Sequence, residues 1–158
     1  MNTFFILVGV PASGKSTWIL NQQWDENTAV VSTDEFVEKY AAEQGKTYSE
    51  VFTEFMPTAI NMMMDKFYDS IENDFDIVWD QTSVTRESRA KKLKLVPPTY
   101  RKVCVVFPTP SIDILTKRLA SRPGKVIPMA VVESMISRWE EPQFDEGFDA
   151  IIYSPPIK

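Results

Sequence analysis

The sequence contains no histidine, which removes the side chain that most often serves as a general base and as a metal ligand. A proton acceptor in a catalytic site must therefore be a carboxylate or, less favourably, a lysine or a tyrosine. Cysteine occurs once, as Cys104 in the apolar run "KVCVVF", so a disulfide bond within the chain is impossible. We expect Cys104 to be a core residue rather than a catalytic thiol, and a reducing, cytoplasmic setting fits this composition.

Long hydrophobic runs are also missing. No window approaches the roughly 20 apolar residues that a membrane helix needs, so we expect no membrane association. The apolar stretch near the N-terminus, "FFILVGV", is short and has no basic leader, which predicts a buried strand rather than a signal peptide. With 158 residues, 44% of them hydrophobic, we expect residues 1–158 to form one domain.

The charge of the chain is distributed unevenly, although the net value is only −5. Residues 34–76 contain 11 Asp and Glu against 3 Lys and Arg, whereas residues 80–125 contain 3 against 11. The second segment is suited to face phosphate groups and the first is not. Both patterns are equally compatible with ordinary solvated helix surfaces.

Five short apolar runs predict buried strands, at residues 4–8, 29–32, 75–79, 102–107 and 150–153. Apolar positions with helical spacing predict helices over residues 16–23, 34–43 and 49–72, and a basic helix that begins near Thr85 and ends before Pro97. Strands that alternate with helices favour parallel pairing. We therefore expect an α/β fold of three layers, with a mostly parallel five-stranded central sheet and helices on both faces.

Several helix starts are predicted from local signals. Ser32 with Glu35, and Thr47 with Glu50, have the spacing of capping boxes, in which each side chain binds a backbone N–H of the other residue. Thr109 followed by proline is typical of an N-cap with proline at the first helical position.

One motif points to chemistry. Residues 9–17, "GVPASGKST", satisfy the pattern G-x-x-x-x-G-K-[ST] between a predicted strand and a predicted helix, which is the context of a phosphate-binding loop. The glycines let backbone N–H groups face a nucleotide phosphate, the lysine neutralises its β and γ oxygens, and the serine hydroxyl binds Mg²⁺. We expect a nucleoside triphosphate and Mg²⁺ to be bound by Gly9, Ala12, Ser13, Gly14, Lys15, Ser16 and Thr17.

Two acids follow predicted strands at the carboxyl edge of the sheet, where open α/β folds bind ligands. Asp34 comes directly after the second strand, and in the absence of histidine it is our candidate for the base that binds and activates the acceptor. An acid there also suits a helix N-terminus, through the helix dipole. Asp80 closes the run "DIVWD", where it is expected to bind Mg²⁺ or the substrate, or simply to begin a turn.

Arginines and aromatic residues complete the candidate site. Arg118 and Arg122 are four residues apart in "TKRLASRPGK", so we expect them on one helix face, in a lid near residues 116–128 that brings positive charge to the nucleotide phosphates. The alternative is that both only favour the helix dipole. The stretch "TRESRAKKLK" places Arg86 and Arg89 along a basic helix suited to a nucleic-acid backbone, and Phe36, Tyr40 and Trp79 suit either base stacking or the core.

These segments together resemble a known family. The order of the phosphate loop, "STDEF", "VWDQTSVTRESRAKKL", "LTKRLASRPGKVIP" and "VVESMISRWEE" resembles, over almost the whole chain, the 5′-kinase domain of bacteriophage polynucleotide kinase and related small P-loop kinases. The resemblance implies transfer of phosphate from ATP, with Mg²⁺, to 5′-hydroxyl ends of DNA or RNA. It assigns Asp34 as general base, Asp80 as the acid after the third strand, Arg122 as the lid arginine, and the region of Val126 as a contact of the adenine.

One departure from the family leaves the acceptor open. The family often has an arginine three residues after the base, where this chain has Val37; Lys39, Arg86 or Arg89 are candidates to replace it. A second hypothesis is a kinase of a small acceptor such as a nucleoside, a nucleotide or another hydroxyl compound. A third is a nucleotide-binding switch, which Asp34, Asp80 and the two lid arginines disfavour because a binding protein needs no base.

Overall fold

The computed structural model describes residues 1–154, and its centre is a five-stranded sheet. The strand order is β2-β3-β1-β4-β5, and every neighbouring pair is parallel. The strands are β1 (Thr3–Val8), β2 (Thr28–Val31), β3 (Asp76–Trp79), β4 (Arg101–Val106) and β5 (Ala150–Tyr153). All five lie where the sequence predicts them, and the α/β prediction is confirmed.

Six α-helices lie in the described part of the chain. They are α1 (Lys15–Asn21), α2 (Thr33–Gln44), α3 (Tyr48–Glu72), α4 (Arg86–Leu93), α5 (Ile112–Ala120) and α6 (Met129–Ser137), and a 3₁₀ turn covers Phe144–Glu146. The predicted helices are present, with ends shifted by a few residues. None of the helices within residues 1–154 has the length and apolar character needed to cross a membrane.

Strand β1 shows why helices cover both faces of the sheet, since successive side chains of a strand point to opposite faces. Phe4 and Ile6 join one buried cluster with Phe67 of α3, and Leu7 joins a second cluster, against which Trp18 of α1 packs. Strands buried on both faces consist of near-continuous apolar residues. Cys104 of β4 is fully buried, as expected, and burial raises the pKa of its thiol to about 12.

One of the two predicted capping boxes forms. Thr47 accepts from the N–H of Glu50, and the Glu50 carboxylate accepts from the N–H of Thr47. At α2 the Ser32 hydroxyl caps the helix, but Glu35 binds Lys66 of α3 instead, at 2.8 Å. The prediction of a reciprocal box at Ser32 is wrong because a cation on the neighbouring helix competes for the carboxylate.

Helix α5 begins and ends at other residues than predicted. Ser111, not Thr109, is its N-cap and accepts from the N–H of Ile114. The helix ends at Ala120, so Arg118 lies within it and Arg122 lies in the loop that follows. The physical reason is Pro123, because a proline disfavours helical backbone in the residue before it. The expectation that both arginines share one helix face is therefore wrong.

Candidate active site at the carboxyl edge of the sheet

The loop between β1 and α1 has the backbone that the glycine pattern predicts. Gly14 has φ 106° and Ala12 has φ 65°, the left-handed region that a residue with a Cβ adopts only at a cost in free energy. A Cβ atom on Gly9 would lie 2.5 Å from Ser13 Oγ and 2.9 Å from Phe107 Cβ. Gly14 therefore allows the turn into the helix, and Gly9 allows the loop to pack against β4.

This loop presents polar groups that have no partner in the protein. Helix α1 begins at Lys15 without a side-chain cap, so the N–H groups of its first turn have no side-chain acceptor. Within residues 1–154, Ser13 Oγ is the buried side-chain oxygen that makes no hydrogen bond. Buried polar groups are normally satisfied, and unpaired donors at a helix start fit an anion such as phosphate.

Lys15 reaches back into the loop and lies among four other charged side chains. Its Nζ donates to two carbonyl oxygens of the loop, at 2.8 and 2.9 Å. Burial lowers the pKa of Lys15 to about 8; Asp80 and Asp34 act against this shift, and Arg122 and Lys125 reinforce it. The structure thus brings the predicted residues Lys15, Asp34, Asp80 and Arg122 into one electrostatic environment.

Asp34 lies in the first turn of α2 and is held through both carboxylate oxygens. Oδ1 accepts from the Tyr48 hydroxyl at 2.6 Å, and Oδ2 accepts from Lys125 Nζ at 2.7 Å. Partial burial alone would raise the pKa of Asp34. The hydrogen bonds from Lys125 and Tyr48, with the positive charges of Lys125 and Lys15, outweigh burial and lower the pKa. Asp34 is therefore ionised at neutral pH.

Asp80 and Asp34 follow neighbouring strands, since β3 pairs with β2. Its N–H donates to the carbonyl of Val31 at 2.9 Å, where β2 leads into α2. Burial raises the pKa of Asp80; Lys15 opposes this shift and the negative charge of Asp34 adds to it. The phosphate loop joins the same edge, since Gly9 N–H donates to the carbonyl of Thr82 at 3.0 Å.

The site offers a magnesium ion few protein ligands. No group of three His, Cys, Asp or Glu within residues 1–154 is arranged to hold a metal. Mg²⁺ is commonly bound through one or two protein oxygens together with substrate phosphates. Ser16, exposed at the start of α1, and Asp80 are of this kind, so the residues present fit an ion that arrives with a nucleotide.

The loop between α5 and α6, residues 121–128, connects the phosphate loop with α3. At one end, Arg118 of α5 donates to the carbonyl of Ala12 at 2.8 Å. At the other, Ser49 of α3 donates its N–H to the Gly124 carbonyl at 3.0 Å, and its hydroxyl accepts from the N–H of Val126 at 2.8 Å. The side chain of Val126 stays exposed.

Arg86 and Arg89 are engaged elsewhere. Arg89 is fully buried; its Nε donates to Glu146 at 2.8 Å, and its terminal nitrogens donate to Glu146 and to the carbonyls of Ser83 and Glu140. Contrary to the expectation from its spacing, its guanidinium is not available to a substrate, because α4 turns it inward. Arg86 pairs with Asp145 at 3.1 Å on the surface.

The aromatic residues considered for base stacking have structural contacts. Trp79 is 2% exposed and belongs to the main core cluster, against which Phe36 also packs. The ring of Tyr40 stacks on Phe55 of α3 with centroids 4.0 Å apart. These contacts match the core alternative.

Tyr48 and Lys125 are members of the site that the sequence did not reveal. Tyr48 is 14 residues from Asp34 and Lys125 is 91 residues away. The only local signals were the capping box that begins α3 beside Tyr48 and the lysine that follows Gly124 in "RPGK". Neither signal specifies a carboxylate partner.

A phosphate loop after the central strand of a parallel five-stranded sheet, with helices on both faces, defines a P-loop kinase-like domain. A family model described as an AAA domain matches residues 4–142, and the chain belongs to that family. The comparison with curated proteins found no match.

Several solved structures share the fold. A chain in the structure of the Pnkp1/Rnl/Hen1 RNA repair complex is 22% identical, with TM-score 0.65 over 87% of this chain and 43% of that chain. A "putative kinase" from Chloroflexus aurantiacus is 20% identical, with TM-score 0.65 over 96% and 88%. A sugar kinase from Janibacter sp. HTCC2649 is 16% identical, with TM-score 0.60 over 99% and 88%. This chain spans less than half of the RNA repair chain, and at these identities the likeness shows the fold alone.

Proposed function

We propose that the chain is a phosphotransferase that uses ATP and Mg²⁺ to phosphorylate a hydroxyl group. One observation carries this proposal: the ionised carboxylate of Asp34 lies in the same charged cluster as Lys15 of the phosphate loop and Asp80. A protein that only bound the nucleotide would need no carboxylate there. The P-loop kinase-like fold supports the proposal.

The roles follow from the positions of the groups. The loop residues bind the phosphates of ATP, and Lys15 neutralises their β and γ oxygens. Ser16 and Asp80 would hold Mg²⁺, which when bound neutralises phosphate charge. Asp34 orients the acceptor hydroxyl and accepts its proton. The acceptor oxygen bonds to the γ-phosphorus while the bond from that phosphorus to the β–γ bridging oxygen breaks, so that ADP leaves.

The segment from residue 116 to 128 is proposed to be a lid. Arg118 contacts the phosphate loop, and Arg122 lies near enough to Lys15 to reinforce the lowering of its pKa. Positive charge at this position stabilises the charge that develops on the transferred group. Val126 is assigned to the nucleobase of ATP.

The first candidate acceptor is the 5′-hydroxyl end of DNA or RNA. The joint order of the phosphate loop, Asp34, Asp80 and Arg122 supports it. The shared fold does not choose between acceptors, since both a chain of an RNA repair complex and a sugar kinase have it. Arg86 remains a candidate for a backbone phosphate through exchange of its surface partner.

The second candidate acceptor is a small hydroxyl compound, and the burial of two side chains favours it. Val37 is fully buried, so its side chain contacts no substrate phosphate. Arg89 is enclosed and paired with Glu146. Glu38, near Asp34, adds negative charge, which disfavours a polyanion.

Transfer of label from γ-labelled ATP, with Mg²⁺, tests the proposal directly. Acceptors are a 5′-hydroxyl oligonucleotide, a nucleoside 3′-phosphate and a small set of sugars. The Asp34→Asn protein is expected to bind ATP normally and to lose about 10²- to 10⁴-fold in rate, the usual contribution of a general base. Asp65→Asn, which changes an exposed carboxylate of α3, is the matched control.

Each outcome decides between the candidates. If the oligonucleotide is labelled and Asp34→Asn abolishes that labelling, the polynucleotide is supported as the acceptor. Equal or faster labelling of a small compound supports the second candidate. An active Asp34→Asn protein refutes Asp34 as base, and ATP binding without any labelled acceptor returns the chain to the class of nucleotide-binding switches.

A further inference from the structure

Asp34 is held by two side chains from distant parts of the chain. Tyr48 belongs to the first turn of α3 and Lys125 to the α5–α6 loop. Each carboxylate oxygen accepts one hydrogen bond and retains lone pairs for another donor. The pair therefore fixes the orientation of the carboxylate and still allows an acceptor hydroxyl to bind it.

Lys125 is specialised for this contact. Its side chain is only 15% exposed, its Nζ lies 3.6 Å from a second carboxylate on Glu38, and it lies 4.5 Å from the centre of the Tyr48 ring. The ammonium group of Lys125 is thus shielded from solvent and lies next to two carboxylates and the face of an aromatic ring. Its charge-assisted contacts are therefore stronger than those of an exposed ion pair.

The backbone on both sides of Lys125 is docked on α3. Gly124 and Val126 bind the backbone N–H and the hydroxyl of Ser49. Gly124 has φ 68°, and a Cβ there would lie 2.9 Å from Thr47 Cβ. In the conformation in which Lys125 reaches Asp34, the loop thus lies against the start of α3.

We propose, on the basis of the phosphotransferase function above, that Tyr48 and Lys125 are positioning residues for the catalytic carboxylate. Tyr48 fixes its orientation, and Lys125 keeps it negatively charged and makes its orientation depend on docking of the loop. Helix α5 then contacts the phosphate loop, and the α5–α6 loop that follows it contacts the base through Lys125. Closure over the nucleotide and preparation of the base become one event.

The charges around Asp34 give the sign of the pH effect. Lys15, Tyr48 and Lys125 favour the ionised form, whereas the nearby carboxylates of Asp80 and Glu38 disfavour it. With Lys125 present the pKa of Asp34 is lowered. Loss of Lys125 removes a hydrogen bond and a positive charge together, so the pKa rises and protonation begins at a higher pH.

The first test measures the protonation of Asp34 without any acceptor, so it remains informative if no phosphotransfer is found. The carboxyl carbons of ¹³C-labelled aspartate are titrated by NMR in the full chain, and Asp34→Asn identifies the signal of Asp34. Lys125→Met is expected to raise its midpoint, and Tyr48→Phe is expected to raise it less. Lys117→Met, which changes an exposed lysine of α5, should leave it unchanged. An unmoved midpoint in both site variants overturns the proposal.

The second test reads the reaction. Lys125→Met is expected to lower kcat by about 10- to 100-fold, less than the loss of a general base itself, and to move the acid limb of kcat/KM to higher pH. Lys125→Arg should restore much of kcat. A lysine that only anchored the loop would lower the rate without moving the acid limb, and that result would refute the positioning role.

Discussion

At the scale of the residue, the site depends on charges that are partly withdrawn from water. Lys15 illustrates the balance: burial lowers its pKa to about 8 although two carboxylates oppose the shift. At neutral pH it is mostly protonated and therefore able to bind phosphate. Above its pKa it becomes neutral and loses the Coulombic part of that interaction.

ATP affinity is therefore expected to fall as the pH rises through about 8. At pH 9.5 the protonated fraction of Lys15 is small, and the Kd should rise by about 10- to 30-fold relative to pH 7. Calorimetric titration with Mg-ATP at several pH values measures the change in Kd. The Lys15→Arg protein is the comparison, because arginine keeps its charge and should bind with little pH dependence. A wild-type Kd that stays constant from pH 7 to pH 9.5 would exclude this role for Lys15.

At the scale of the element, the sequence predicts the strands, helices and loops whose formation depends on a local residue pattern. Buried parallel strands are apolar runs, and the phosphate loop follows from its glycines, so β1 and the start of α1 were predictable. The Asp34–Tyr48 and Asp34–Lys125 contacts were not, since they depend on how α2, α3 and the α5–α6 loop pack. Arg89 shows the same limit, because a basic pattern does not tell which face of α4 is buried.

The start of α3 is expected to be sensitive to its cap, because it carries Tyr48 and receives the α5–α6 loop. Thr47→Ala removes the hydroxyl that binds the N–H of Glu50 and should lower the free energy of unfolding by about 1 kcal/mol. Thr109→Ala is the control, since Ser111 caps α5. Urea denaturation of the two variants measures the difference, and equal stabilities would contradict this account of α3.

At the scale of the whole molecule, the two arginines of α4 are paired with acids that lie shortly before β5. Arg89 pairs with Glu146, and Arg86 pairs with Asp145. These contacts join α4 to the segment before β5. The uneven charge along the sequence is thus partly neutralised in the fold and does not all appear as a basic surface.

The buried pair predicts a clear asymmetry between the two arginines. Arg89→Met removes the cation that binds Glu146, which is 5% exposed at its side chain, and leaves it only the more distant Arg86, at 3.9 Å. The change should cost about 3–5 kcal/mol. Arg86→Met removes an exposed pair and should cost at most about 1 kcal/mol. Thermal and denaturant unfolding compare the variants. If Arg89→Met folds with wild-type stability and loses only activity, Arg89 serves the substrate after all.

The docking of residues 124–126 on α3 also has a consequence for proteolysis. The α5–α6 loop carries two basic residues, Arg122 and Lys125, and trypsin does not readily cleave the bond before Pro123. The bond after Lys125 is thus the tryptic site within the loop, and the docked state engages that very side chain with Asp34. When opening and closing are fast, the rate of cleavage there reports the population of the undocked loop. Limited digestion with trypsin therefore measures closure of the α5–α6 loop without any label.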